Sequence, residues 1–282
     1  MKGFLGSATV RIALGILGVF LLMALLAPVI APADPLAGSL ADRLAPPAWA
    51  NGGSLNHVLG ADDLGRDILS RLIYGARVSM LVAASSIVMA GAVGTLVGMT
   101  AGYLGGWTDR ILMRIVDLAL SFPIIMLALL CAALFGPSLV NIILVMALVL
   151  WAPYARMARG ETLRVKTLDY VDLARTAGVS DPIILARHIL PNIAGSLIVL
   201  ATLQVGTVII LEASLSFLGV GVPPPTPSWG SMVADGRNFI ASAWWVSLIP
   251  GLAVLVIVMA ANLLGDMLAD HLNPDRRRET GL

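Results

Sequence analysis

The chain contains very few charged residues. Of its 282 residues only 12% are Asp, Glu, Lys or Arg, and the mean hydropathy is +0.91. An average soluble domain has roughly 25% charged residues. The sequence therefore predicts an integral membrane protein that crosses the bilayer several times. The net charge of +1 excludes the basic surface that nucleic-acid binding needs.

Residue types and motifs that support catalysis are also scarce. The single cysteine, Cys131, lies in an apolar run, so no disulfide can form within the chain. Neither of the two lysines, Lys2 and Lys166, follows the glycines of a GxxxxGK[ST] phosphate-binding loop. HExxH and GxSxG motifs are missing, and the three histidines are far apart in sequence. We expect a chain without enzymatic activity, cofactor or metal.

Long apolar runs predict six membrane-spanning helices. Four runs cover residues 12–33, 78–108, 193–218 and about 245–264, and a fifth, 118–155, is long enough for two spans divided at residues 136–138. A span needs about 20 residues to cross a hydrocarbon core of about 30 Å. For the first run, a cleaved signal peptide ending near Ala31 or Ala33 is the alternative.

The distribution of basic residues predicts the orientation. Six spans place both termini on one side, and with the N-terminus inside, thirteen of the eighteen Lys and Arg residues lie on inner segments. By the positive-inside rule, both termini, the turn at residues 106–117 and the segment 156–191 are cytoplasmic. We divide the chain into an N-terminal span with an outward insert, residues 1–76, and a five-helix core, residues 77–282. In this core Gly94, Gly98 and Gly102 share one helix face, which favours a close helix contact.

A stretch rich in charged residues covers residues 167–191, between two apolar runs. We predict two short helices separated by Gly178, which supplies a left-handed end to the first. Thr167 is expected to cap the first helix, Asp181 to cap the second, and Pro191 to lie just beyond the end of the second. The first helix has an apolar stripe of Tyr170, Leu173, Ala174 and Ala177. Such a helix between membrane spans predicts a docking surface for another protein.

Two residues near the outer side are candidates for function. Glu212 is the one carboxylate well inside an apolar run. It lines a pathway, pairs with a partner chain or anchors the Pro-rich loop that begins at residue 219. The position of Glu212 in the sequence does not decide among these three roles. Trp229, with Trp244 and Trp245, fits an aromatic belt at the outer membrane surface.

A cluster of charges precedes the second apolar run. Asp62, Asp63 and Asp67 lie beside Arg66 and Arg71. Three carboxylates are compatible with a metal site, but no histidine or cysteine spacing supports one. We favour a salt-bridged turn that leads into a helix capped by Asp62 or Asp63.

The stretch YVDLARTAGVSDPIILARHILPN resembles the EAA loop of permease subunits in bacterial binding-protein-dependent ABC importers. The positions that match are Asp172, Leu173 and Ala174 at E-A-A, Gly178 at the glycine, and Ile189, Leu190 and Pro191 at the distal end. Leu173 in place of alanine is a departure from the pattern. The blocks LGADDLGRDILSRLIYGARVS, GGWTDRILMRIVDLALSFP, LEASLSFLGVGVPPPTPSWG and NLLGDMLADHLNPDRR resemble the C-type permease of dipeptide and oligopeptide importers, the peptide/nickel subfamily.

The resemblance implies an all-α fold of the type I importer permease class in the bacterial inner membrane. It implies as partners a second, B-type permease, one or two ABC ATPase subunits that carry ATP and Mg, an extracytoplasmic substrate-binding protein, a peptide substrate and membrane lipid. The residues it assigns to ATPase docking are Tyr170, Asp172, Leu173, Ala174, Arg175, Ala177, Gly178, Ile189, Leu190 and Pro191. Glu212 and Trp229 are assigned to the pathway or the outer face.

Two other classes of protein are compatible with an apolar chain. A secondary transporter or channel, not coupled to ATP, would require internal repeats or several charges at the membrane midplane. An enzyme embedded in the membrane would require clustered His, Asp or Cys residues. The ligand stays open among dipeptides, longer peptides, glutathione, nickel chelates and opine-like molecules.

Overall fold

The computed structural model describes residues 7–272, and the regular elements of that part are helices. They are α1 (Ala8–Ile30), α2 (Ile68–Leu104), α3 (Gly106–Ser121), α4 (Ile124–Phe135), α5 (Leu139–Val165), α6 (Asp169–Thr176), α7 (Asp181–Ile184), α8 (Leu190–Phe217), α9 (Trp229–Gly236) and α10 (Trp245–Leu272). A π-helical turn, Leu185–Ile189, joins α7 to α8. The predicted all-α class is confirmed.

Five helices are long and apolar enough to cross a bilayer. They are α1, α2, α5, α10 and the continuous helix Asp181–Phe217 that runs from α7 through α8. The pair α3 and α4 also qualifies but is bent by 89°. Pro123 explains this break, because the residue before a proline avoids the helical conformation. The predicted six spans are present when the bent pair counts as one span.

Several predicted boundaries differ from the structure. Residues 106–117, predicted as a turn, belong to α3, and the run 118–155 is interrupted at Phe122–Pro123 as well as at residues 136–138. The uncharged run that starts at residue 78 lies within α2, which begins at Ile68, and α10 continues to Leu272 rather than ending near residue 264. At Ile68 and at Leu272 the helices extend beyond the uncharged runs, which a count of uncharged residues cannot detect.

The charged turn before α2 is a salt-bridged network, as predicted, but its capping residue is different. Asp67 caps α2 and accepts hydrogen bonds from the Ser70 amide at 2.8 Å and the Ser70 hydroxyl at 2.7 Å. Asp62 is buried and accepts from the Arg66 guanidinium at 2.7 Å and from the backbone amides of Leu64 and Arg66. The prediction that Asp62 or Asp63 caps the helix is therefore wrong.

Two tryptophans fix the outer segments to the spans. Trp229 has no exposed surface, and its indole N–H donates to the Leu72 carbonyl of α2 at 3.0 Å. Its ring meets Phe20 of α1 edge to face at 5.3 Å. Trp245 is also buried and donates to the Ala61 carbonyl at 3.3 Å. The predicted place of Trp229 and Trp245 in a surface aromatic belt is wrong, because Trp229 is buried against α1 and α2 and Trp245 against the segment that precedes α2.

The contact between α2 and α5 depends on the predicted glycine face. A Cβ atom at Gly94 would overlap the Trp151 carbonyl oxygen, and one at Gly98 would overlap the Ala155 carbonyl oxygen. At Gly102 it would lie 2.9 Å from the Arg159 carbonyl oxygen. The two backbones therefore approach closely along about two turns, which confirms the expected packing role of these glycines.

We expect Gly98→Ala to destabilise the protein by about 1–3 kcal/mol, because the added methyl group meets backbone that must move. The matched control is Gly160→Ala on α5, where no atom lies within 4 Å of the added Cβ. Alanine there gains about 1 kcal/mol of helix propensity. Thermal unfolding of the full chain in detergent measures both, and equal unfolding temperatures for the two variants would contradict the packing argument.

Candidate functional site

The first helix of the predicted docking stretch forms, but its cap differs from the prediction. α6 is preceded by Leu168 at the N-cap position, and no side chain caps it. The Thr167 hydroxyl instead donates to the Arg164 carbonyl at 2.9 Å, at the end of α5. Asp169 and Asp172 lie in the first turn, where carboxylates interact favourably with the helix dipole. The predicted Thr167 cap is wrong.

The end of α6 is a Schellman motif built on Gly178. Gly178 has a φ of +77°, and its amide donates to the Arg175 carbonyl at 3.1 Å. The Val179 amide donates to the Ala174 carbonyl at 3.1 Å, and both side chains pack against the same buried cluster. This hydrogen-bond pair and hydrophobic contact fix the direction in which the chain leaves the helix. The predicted left-handed stop at Gly178 is confirmed.

The two faces of α6 have different environments. Val171 is fully buried in a cluster with Ile184 and Ile189. Tyr170 and Leu173, by contrast, keep 39% and 68% of their surface exposed. The helix is therefore attached through Val171, which lies beside the predicted stripe and was missed. Leu173 projects from the protein, and Ala177 is also exposed.

The second helix is tied to the membrane spans by a side-chain hydrogen bond. Ser180 occupies its N-cap position, and Asp181, predicted as the cap, is the first helical residue. The Tyr103 hydroxyl at the C-terminal end of α2 donates to the Asp181 carboxylate at 2.7 Å. The Arg175 guanidinium of α6 lies 5.3 Å from the centre of the Tyr103 ring. No local pattern in the sequence indicates that Tyr103 contacts both helices.

Pro191 lies inside a helix rather than beyond its end. The π-helical turn Leu185–Ile189 precedes it, and the Leu190 amide donates to the Leu185 carbonyl five residues back. A proline has no amide to donate and its ring collides with a carbonyl one regular turn earlier, so a wider turn accommodates it. As a result, the docking stretch continues without interruption into the α8 span. The prediction that the second helix ends before Pro191 is wrong.

Polar contacts also tie the neighbouring spans to this region. The Lys166 ammonium group donates to the Gly102 carbonyl at 2.6 Å, and the Ser196 hydroxyl donates to Glu161 at 3.0 Å. Arg159 of α5 forms a two-pronged ion pair with Asp109 of α3. These contacts hold the ends of α2, α3, α5 and α8 together beside the predicted docking stretch.

Glu212 lies far from the docking stretch, in a buried polar cluster. Only 1% of its surface is exposed, and it accepts hydrogen bonds from Ser216 at 2.8 Å and Ser79 of α2 at 3.4 Å. Ser216 lies 3.5 Å from Ser228, the N-cap residue of α9, and also accepts from the Val222 amide. Of the three interpretations left open, this geometry supports the one in which Glu212 ties the Pro-rich loop to the spans.

Most of the chain matches a family model described as a binding-protein-dependent transport system inner membrane component, over residues 94–278. The protein belongs to this family, so it is a membrane permease subunit of an ABC importer. More specifically, residues 3–47 match the N-terminal transmembrane domain of oligopeptide transport permease C, and the chain is therefore a C-type permease.

Curated relatives agree with this assignment. The di/tripeptide transport system permease protein DppC of Pseudomonas aeruginosa is 43% identical over 89% of this chain and 83% of that protein. The glutathione transport system permease protein GsiD of Pectobacterium atrosepticum is 44% identical over 79% of this chain and 74% of that protein. A solved chain of the MetNI methionine ABC transporter, in inward-facing conformations, aligns with a TM-score of 0.55. At 18% identity, covering 72% of this chain and 96% of that one, it shows the shared fold.

We expect Glu212→Ala to lower stability by about 2 kcal/mol, because buried serine hydroxyls lose their acceptor. Glu212→Gln retains an acceptor of the same shape and should cost clearly less. Thermal unfolding of the full chain and protease sensitivity of the loop at residues 218–228 provide the measurements. If both variants unfold like the unmodified protein while transport falls, Glu212 belongs to the pathway and the anchoring role is wrong.

Proposed function

We propose that this chain and a second permease form the membrane pathway of an importer for small peptides, driven by ATP hydrolysis on separate subunits. The relatives named for di/tripeptides and glutathione support this ligand class. The lack of a phosphate-binding loop supports ATP and Mg binding on partner ATPases rather than on this chain. A substrate-binding protein delivers the peptide to the outer face, which we place at residues 34–76 and 219–244.

The same proposal includes the topology. Both termini face the cytoplasm, residues 1–76 form the N-terminal span and outer insert, and residues 77–282 form the five-helix core. The bias of Lys and Arg toward the predicted inner segments supports this orientation. Residues 156–191 form the coupling loop that the ATPase contacts.

The observation that carries the proposal is the exposed apolar face of a rigidly held helix. Tyr170, Leu173 and Ala177 face outward, whereas Val171 attaches α6 to the spans from the opposite side. An exposed leucine on a fixed, capped helix is suited to insertion into a groove of a partner protein. Asp172 and Arg175, 3.5 Å apart and both exposed, lie at its edge and can form charged contacts with that partner.

The remaining residues assigned to docking have a different part in this proposal. Ile189 is fully buried, whereas Leu190 and Pro191 are exposed at the start of α8. Ala174 is partly covered by the buried cluster. We therefore propose that Tyr170, Asp172, Leu173, Arg175 and Ala177 contact the ATPase directly. Ala174, Gly178 and Ile189 then hold the contacting face in position.

We expect Leu173→Glu to reduce co-purification of the ATPase subunits at least about tenfold, because burying an unpaired carboxylate in the contact is costly. Leu55→Glu is the matched control, since Leu55 is 85% exposed but lies in the outer insert. It should retain the ATPase. Equal retention by both variants would show that α6 is not the docking surface.

We expect Gly178→Val to uncouple transport from ATP hydrolysis, because a β-branched residue at φ +77° costs on the order of 1–2 kcal/mol and shifts the end of α6. Gly178→Asn should retain most activity, since asparagine tolerates the left-handed region. ATPase activity and peptide uptake are measured in proteoliposomes that contain the full transporter. Unchanged uptake in Gly178→Val would contradict the rigid-helix argument.

A further inference from the structure

A polar cleft of about 470 Å³ lies among the segments that we place on the outer side. Its walls come from the Pro-rich loop, from α9 and the 3-10 turn Arg237–Phe239 that follows it, and from the turn between α4 and α5. Its charged lining residues are Asp63, Asp235 and Arg237. The volume lies within the range of about 300–1,000 Å³ that is typical of small-molecule sites.

The acidic part of this cleft has more negative charge than its arginines neutralise. Asp62, Asp63 and Asp235 surround Arg66 and Arg71, which leaves one carboxylate in excess. Asp62 is buried, lies outside the cleft lining and has the shortest of these contacts, 2.7 Å from Arg66. Asp63 and Asp235 therefore have weaker, longer partners.

The distances show how weakly the two cleft carboxylates are paired. Asp63 lies 4.0 Å from the Arg66 guanidinium, and Asp235 lies 3.4 Å from that of Arg71. Partial burial raises the pKa of the Asp235 carboxyl. The positive charges of Arg71 and Arg66 lower it again only in part, so the pKa stays above its ordinary value. A further cation in the cleft would therefore stabilise the charged form of both carboxylates.

The basic part of the cleft is a single guanidinium group. Arg237 is exposed and lies 5.3 Å from the centre of the Phe217 ring. None of the carboxylates in residues 7–272 forms an ion pair with it. The aromatic ring restrains the guanidinium at the cleft wall while leaving its N–H groups available to a ligand. A planar guanidinium is suited to two-pronged binding of a carboxylate.

We propose that this cleft is an entry subsite of the permease for zwitterionic, peptide-like molecules. Asp63 and Asp235 bind the ligand's ammonium group, and Arg237 binds its carboxylate. A ligand with a free ammonium group and a free carboxylate can form ion pairs with both parts of the cleft at once. A purely cationic or purely anionic molecule can form ion pairs with only one part. The inference rests on the proposed function, because it assigns to this chain a recognition step after release from the binding protein.

The test uses the assembled transporter in nanodiscs without its binding protein, so that ligand contacts on the permeases alone are observed. The probe is the dipeptide Ala-Ala, followed by saturation-transfer NMR, with N-acetyl-Ala-Ala and Ala-Ala-amide as analogues that each lack one charge. We expect Ala-Ala to bind more tightly than either analogue by about three- to tenfold, the range for one partly exposed charged contact.

The variants separate the two parts of the cleft. Arg237→Gln should abolish the preference for Ala-Ala over its amide and leave the preference over the acetylated analogue. Asp63→Asn should abolish the preference for Ala-Ala over the acetylated analogue and leave the preference over the amide. The ion contact of Asp63 with Arg66 is long, at 4.0 Å, so its loss should not unfold the turn. Arg77→Gln is the matched control, an exposed arginine near the outer end of α2 that does not line the cleft. It should bind all three probes like the unmodified protein.

The outcomes distinguish failure of this inference from failure of the proposed function. In proteoliposomes with all subunits, ATP-dependent uptake of Ala-Ala or of a longer peptide tests the function itself. If uptake occurs but Ala-Ala shows no preference over its analogues, or if both cleft variants retain that preference, the entry subsite is refuted. If no peptide is taken up under any condition, the proposed function fails first.

Discussion

The close approach of α2 and α5 is the constraint on which the rest of the arrangement depends. The glycine face of α2 allows the α5 backbone to contact it directly, and the last of these glycines, Gly102, lies near the C-terminal end of α2. There the Gly102 carbonyl accepts a hydrogen bond from the Lys166 ammonium group, and the hydroxyl of the adjacent Tyr103 donates to Asp181. The packing within the membrane therefore positions the groups that hold the docking stretch outside it.

The docking stretch combines two requirements that oppose each other. In the proposed docking role a partner would bind the exposed apolar surface of Leu173, but an exposed helix of eight residues has little stability of its own. Burial of Val171, the Schellman motif at Gly178 and the uninterrupted helix through Pro191 supply the rigidity. Rigid-body motion can pass between a partner and the spans only along such a connection.

The segments around α9 combine buried polar contacts with a share of the main apolar core. Glu212 and its serine neighbours hold the Pro-rich loop, and the indole N–H groups of Trp229 and Trp245 bind carbonyls of other segments. Each of these contacts satisfies a buried donor or acceptor, so each specifies one arrangement of the outer loops. The cleft beside Arg237 lies between segments that are fixed in this way.

Local signals in the sequence were sufficient for some elements and misleading for others. Gly178 as a left-handed stop and the glycine face of α2 were predicted because each depends on a backbone property of the residue itself. The predictions for the cap of α2, for Pro191 and for Trp229 were wrong, because each local pattern is compatible with more than one arrangement. Three aspartates compete for one cap, a proline is compatible with a helix end or a widened turn, and a tryptophan is suited to a surface or a core.

Composition and short-range backbone preferences, which act within a few residues, predict an all-helical membrane protein with a polar stretch broken at Gly178. The permease role was added by the resemblance of its motifs to a known family. The attachment of α6 through Val171 and the contact of Glu212 with a loop depend on long-range packing, so they became visible in the structure alone. The same packing also brought Asp63, Asp235 and Arg237 to one cleft. Asp63 and Asp235 are far apart in the chain, so only packing of the spans brings them together.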